Sequence, residues 1–339
     1  MTQTSFDAPV KPSRDWIKVL AQYSKPKVSR SILEIAATFL GFTTFWFAAW
    51  YSLSISYWLT ILLCIPGSVF LVRIFLIQHD CGHGSFFASS KLNDWVGRIM
   101  GVFTMTPYQV WRRAHAIHHA TSGNLDRRGS GDIETLTVDE YNELSAAQQR
   151  WYRFYRHPFT LFIIGPAFVF LIRHRYPLNG LLKEPKYWLS AIGTNLGIIA
   201  LAGVMIYFLG LESFLLIQLP MTVMAASIGV WMFYVQHQFE DTYWAEGDEW
   251  NHADAALYGS SYYALPPLFA WLTGNIGIHH VHHLYGRIPF YRLPQVLRDN
   301  PELGEIHKIT FWQSLSCVKL QLWDNNKRKL VSFTTAAQA

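Results

Sequence analysis

From Ile35 to Val72 the chain runs 38 residues without one Asp, Glu, Lys, Arg or His. One helix across a bilayer needs about 20 residues. The stretch therefore reads as two spans joined by a tight turn at Ser52–Ser56. A second pair runs from Tyr187 to Gln236, broken only by Glu212, with its turn at Gly210–Ser213. The expected spans are about 35–53, 56–77, 187–210 and 213–236. Composition agrees: hydrophobic residues make up 51% of the chain and charged residues 15%, against roughly 25% charged in soluble domains. An ordinary soluble protein and a disordered one are both excluded.

The net charge is +5, from 28 basic and 23 acidic residues. A basic balance fits nucleic acid or a membrane surface; here the basic residues flank apolar stretches, so membrane is read and nucleic acid is not. Neither connecting turn contains Lys or Arg. The Lys and Arg fall in the N-terminal, middle and C-terminal segments, which the positive-inside tendency places in the cytoplasm with both termini. In a bacterium this is the inner membrane. Residues 1–30 form a basic cytoplasmic segment without the short apolar core and small-residue cleavage site of a secretory signal. Residues 31–339 read as one domain, with a cap made of 78–186 and 237–339. Phe159–Ile172 is too short to span and reads as a buried or interfacial helix. Val96–Val110 also reads as interfacial. Ala255–Ile278 contains Pro266-Pro267, Gly274 and Asn275 and is kept out of the membrane. Cys64, Cys81 and Cys317 are too scattered for a disulfide framework or a thiolate zinc module.

Nine of the 14 histidines stand in a pattern that suits metal. His79 and His83 bracket Asp80-Cys81-Gly82; on a helix i and i+4 share a face, about 5–6 Å apart. His115, His118 and His119 form H-x-x-H-H on one helical stripe, and His279, His282 and His283 repeat that spacing. His237 ends the last apolar run, where an ionisable group is expensive without a partner or a task. Two, three, three and one imidazoles are too many for one metal and suit two metals with four or five each. Imidazole accepts iron, zinc, copper or nickel. Iron in a membrane shell fits best, because it activates dioxygen. The Glu and Glu-x-x-His ligands of soluble di-iron bundles are lacking as a paired pattern. Asp80, Asn124, Asp126, Glu240, Asp241 and Asn275 are candidates to accept the ligands' other N–H. His280 is assigned to support or packing, Cys81 to packing away from the metal, and His157, His174, His252 and His307 to interface or surface.

The boxes HDCGH (79–83), HAIHH (115–119) and HHVHH (279–283), with four spans among them, resemble the integral-membrane fatty acid desaturases. The Δ12/ω-6 acyl-lipid branch is the most similar, through His79–Ser85, Val235–Asp241, Gly274-Asn275-Ile276-Gly277 and Arg287-Ile288-Pro289. The resemblance covers about residues 35 to 330. It implies an all-α integral membrane protein, its four transmembrane helices in two hairpins and its cytoplasmic helical cap carrying a histidine-ligated di-iron site. The implied ligands of two Fe ions are His79, His83, His115, His118, His119, His237, His279, His282 and His283. The implied co-substrate is O2 and the implied substrate an acyl lipid. No H-P-G-G haem signature is present, so a separate donor is implied, a ferredoxin or a cytochrome b5-like protein.

The implied reaction removes hydrogen from two adjacent methylenes to leave a cis double bond. No side chain acts as nucleophile. Tyr108, Trp111, Trp231 and Phe233 are candidate walls of an acyl tunnel. Two other readings stand beside this one. A lipid or carotenoid hydroxylase or ketolase keeps the site and returns oxygen to carbon. A metal transporter predicts ionisable ligands near the bilayer midplane, whereas these spans lack charge. The basic run Lys327-Arg328-Lys329 reads as solvated or lipid-facing, with donor docking as the alternative.

Overall fold

The computed structural model describes residues 11–129, 131–177 and 181–336. A short amphipathic helix α1 (Ser13–Leu20) precedes the first hairpin, α2 (Val28–Ser52) and α3 (Tyr57–His83). Then come α4 (Ser90–Phe103), α5 (Tyr108–Thr121), α6 (Val138–Glu143), α7 (Ala146–Tyr155) and α8 (Gly165–Leu171). The second hairpin is α9 (Pro185–Leu209) and α10 (Leu211–His237), followed by α11 (His252–Tyr258), α12 (Pro267–Leu272), α13 (His279–Leu284) and α14 (Leu293–Asp299). Two small sheets finish the cap. Strand β1 (Tyr262–Ala264) pairs in parallel with β2 (Lys308–Thr310), Tyr262 opposite Lys308. Strand β3 (Leu322–Asp324) pairs antiparallel with β4 (Lys329–Val331), Leu322 opposite Val331.

Among the described residues, α2, α3, α9 and α10 are the four single helices long and apolar enough to cross a membrane. Their outward side chains are apolar, Leu40, Leu189 and Ile199 among them. Exposed aromatics gather at both turns, Tyr51, Tyr57 and Trp58 at one and Tyr207 and Phe208 at the other, as at a membrane–water interface. The two turns lie on the same side: Tyr57 OH reaches the Leu216 carbonyl at 3.5 Å and Trp46 Nε1 donates to Gln218 Oε1 at 3.1 Å. The far ends of α3 and α10 therefore enter the cap together.

The helices outrun the apolar stretches. Helix α2 starts at Val28, seven residues before Ile35, because Glu34 finds Arg30 at 2.7 Å one turn away and Arg73 across the hairpin. Helix α3 does not stop near residue 77. It continues to His83 and ends at Gly84, whose φ of +66° admits a left-handed turn. Arg73 also corrects the expectation that the spans are free of Lys and Arg, since it lies buried inside α3. Proline at 66 and 220 is carried within α3 and α10, which neighbouring membrane helices permit.

The shorter apolar stretches form short or broken elements. Helix α4 exposes Leu92, Trp95 and Ile99 on one face, the habit of a helix lying in an interface. Residues 159–172 form a π-turn (Thr160–Ile164) and α8, packed on α10 with Phe168 outward. Residues 255–278 are broken into the end of α11, β1, α12 and a turn at Gly274 and Asn275, both with positive φ. The N-terminal segment docks on the cap. Trp16, Leu20 and Tyr23 join the main core, and Ser13 Oγ donates to Asp254 Oδ1 at 2.7 Å.

Candidate metal centre

Each histidine box lies at the end of a helix or on a short one. The last turns of α3 carry His79 and His83, α5 carries His115, His118 and His119, α10 ends at His237, and α13 carries His279, His282 and His283. Helix α13 is aimed by the turn before it. Gly274 and Asn275 reverse the chain with φ of 57° and 53°. Gln236 Nε2 donates to the Ile276 carbonyl at 3.1 Å, which ties box three to the residue before His237.

The nine imidazoles separate into two groups. His79, His83, His115, His119 and His282 form one; His118, His237, His279 and His283 form the other. Within each group every candidate ligand nitrogen is within 4.8 Å of the rest. In the first, Nε2 of His115 is 2.9 Å from that of His83 and 3.1 Å from that of His119, which is 3.1 Å from Nε2 of His282. In the second, Nε2 of His237 is 3.0 Å from that of His279 and 3.2 Å from that of His118.

Helical geometry produces the division. With about 100° per residue, i and i+4 project almost together and i+3 projects to the other side of i. Box two sends His115 and His119 to the first group and His118 to the second. Box three does the reverse, His279 and His283 to the second and His282 to the first. The repeated H-x-x-H-H spacing thus lets two helices serve both groups.

The chemistry of this donor set fits metal. Nitrogens bound to one first-row ion at about 2.0–2.1 Å sit about 3 Å apart, the spacing found. Burial, reinforced by neighbouring imidazoles, pushes His115, His119, His279, His282 and His283 well below the usual histidine range. That direction favours the neutral imidazole, which is the ligating form. Both groups lie where the spans end, away from the middle of α3 and α10, and so lack the midplane placement that a transporter predicts.

Two carboxylates touch the rings. Asp80 Oδ1 lies 3.1 Å from His79 Nδ1, and its Oδ2 accepts the Phe290 N–H at 2.7 Å. Asp132 bonds His118 Nδ1. The other candidate supports are engaged elsewhere: Asn124 caps the turn at Leu125, Asp126 accepts Gly247 N–H, Glu240 pairs with Lys329, and Asn275 reaches the Phe290 carbonyl. Asp241 makes no contact with either group among the interactions of the described residues; it lies near His307. Asp132 was invisible in the sequence because it stands 13 residues beyond box two in a glycine-rich loop. Arg156 was missed for a similar reason. It is buried and donates to the Glu134 and Leu320 carbonyls, Thr135 and Gln238, so it braces the Asp132 loop against the end of α10.

Other assignments sort plainly. His280 is fully buried in neither group and its Nε2 contacts the Leu303 carbonyl at 2.8 Å. Trp111 stacks on His115, ring centres 4.6 Å apart, and Phe233 lies against His118 and His237. Tyr108 and Trp231 do not face the imidazoles. The Tyr108 hydroxyl donates to the Cys81 carbonyl at 2.9 Å, and Trp231 packs on Phe162. His157 and His252 are exposed as expected, whereas His174 and His307 are partly covered. A cleft of about 340 Å³ opens on the centre between α5, the end of α3 and the Tyr285–Arg287 loop.

The family model described as fatty acid desaturase matches residues 56–315, from α3 through the cap. The chain belongs to the fatty acid desaturase family. This desaturase is 44% identical over 316 residues to a fatty acid desaturase of Bacillus subtilis (strain 168), covering 93% of this chain and 89% of that one. A Synechocystis sn-1 acyl-lipid omega-3 desaturase (ferredoxin) is 27% identical over 74% of this chain and 70% of its own. An endoplasmic-reticulum omega-3 fatty acid desaturase of Vigna radiata is 28% identical over 85% of this chain and 74% of its own. The desaturase is thus an oxidoreductase with a mostly helical fold, consistent with a multi-pass membrane protein.

Proposed function

We propose that this desaturase inserts a cis double bond into the acyl chain of a membrane lipid, using O2 and two irons held by the nine histidines. The convergence of three boxes and His237 into groups of five and four imidazoles supports the reading. Iron, when bound, supplies the activation of dioxygen. The balance is –CH2–CH2– plus O2, two electrons and two protons, giving –CH=CH– and two waters. The electrons come from a separate carrier; ferredoxin stands in the names of the Synechocystis and Nostoc relatives. The chain's own residues bury the ligands, orient two of them through Asp80 and Asp132, and wall the centre with Trp111 and Phe233. The lack of Lys and Arg in both turns supports a cytoplasmic cap and cytoplasmic termini.

The Δ12/ω-6 position rests on the box sequences, while two relatives above are omega-3 enzymes, so position is read directly in the test. Wild type and His118→Ala are expressed in a bacterium that makes only saturated and monounsaturated lipids, with the donor co-expressed, under isotopically heavy dioxygen. Mass spectrometry locates the double bonds. The expected result is a new double bond in the wild type alone and no heavy oxygen in the lipid. Heavy oxygen retained on the acyl chain would make the enzyme a hydroxylase. A new double bond in both strains would remove the histidine centre from the reaction.

A further inference from the structure

We propose that the cleft between α5, the end of α3 and the Tyr285–Arg287 loop is the docking surface for an acidic one-electron carrier protein. The proposal rests on the desaturase reading above, which needs two electrons for each double bond and so two visits by such a carrier. The cleft touches both imidazole groups, through His83, His115 and His119 of the first and His283 of the second. A carrier seated there reaches the centre directly.

The walls of the cleft are cationic. Arg112 and Arg287 line it, and no Asp or Glu does. Arg287 is exposed and has no ion pair among the described residues. Arg112 keeps a half-exposed guanidinium, with Nη1 2.9 Å from Asp94. The basic C-terminal run, the other candidate, does not line the cleft, and each member has an ion pair of its own: Lys327 with Asp324 at 3.1 Å, Arg328 with Glu249 at 3.1 Å and Lys329 with Glu240 at 2.8 Å. A lipid headgroup is the other anion to weigh. None of the exposed large apolar side chains that mark the lipid-facing surface lines the cleft, which favours a protein partner.

The test uses the full chain in detergent with acyl lipid and a reduced plant-type ferredoxin as the probe. A charge at the rim of an interface acts on association and its salt dependence. Arg287→Glu is expected to raise KM for ferredoxin at least about tenfold at low salt and to flatten its salt dependence. kcat at saturating ferredoxin and turnover driven by dithionite stay at wild-type values, and Arg287→Lys restores KM. Reversing Lys327, Arg328 and Lys329 together leaves KM unchanged. Binding of oxidised ferredoxin without lipid reads docking separately: weakened binding by Arg287→Glu supports it even where no double bond forms, and that absence counts against the desaturase reading alone. An unchanged KM and unchanged binding in Arg287→Glu would overturn the proposal. So would a raised KM for lipid with dithionite as reductant, which would assign the cleft to a headgroup.

Discussion

His118 is the imidazole on which the second group turns. Its Nε2 faces His237 and His283, at 3.2 Å and 3.3 Å, while its Nδ1 is held by Asp132. A carboxylate on the far nitrogen fixes the tautomer and the ring plane, and losing such a partner typically costs 10–100-fold in metal affinity. Asp132→Asn is therefore expected to weaken one of two iron-binding events by about that factor and leave the other intact, with Asp132→Glu restoring it; iron titration of the apoprotein reads both. Equal weakening of both events, or none, would contradict this role. The grouping of the candidate ligands was legible in part in the sequence because helical spacing is local: H-x-x-H-H states its own geometry. Their partners were not. Asp80 was found because it sits inside a box. Asp132 needed a loop folded back by Arg156, and nothing in the local pattern of residues 122–137 announces that contact.

At the scale of helices, the cap is fastened to the spans by buried charge. Arg73 of α3 meets Glu34 of α2, donates from Nε to Thr38 Oγ1 at 3.1 Å, bonds the Trp271 carbonyl of α12, and lies 4.1 Å from the Trp271 ring centre. One guanidinium thus joins the first hairpin to the segment that leads into box three. Removing one partner of a buried pair costs about 3–5 kcal/mol when the other is left uncompensated, an upper bound here because Glu34 keeps Arg30 at 2.7 Å. Arg73→Leu should lose up to about that much stability in thermal or denaturant unfolding in detergent, and the double variant Arg73→Leu with Glu34→Gln should recover part of it. A double variant as weak as the single would show that the contacts to Trp271, rather than the charge pair, carry the cost. The sequence marked Glu34 and Arg73 only as the bounds of an uncharged stretch. Counting charges finds where a helix is apolar, and it does not see a charge made tolerable by a partner 39 residues away.

For the whole molecule, the two apolar hairpins were readable from length and charge alone, and the structure keeps all four spans. Their arrangement was readable in part: turns without Lys or Arg put the box-bearing ends of α3 and α10 on one side, and the structure joins those ends through His79, His83 and His237 in adjacent groups. The division of nine candidate ligands into two groups was beyond sequence, since it depends on how α5 and α13 face each other across the cap. That division is the central claim, and Mössbauer spectroscopy of protein loaded anaerobically with enriched ferrous iron tests it. The wild type should show two ferrous doublets of equal area. His237→Ala should alter one, and His83→Ala should alter the other. A single doublet in the wild type, or the same doublet altered by both variants, would contradict two separate sites.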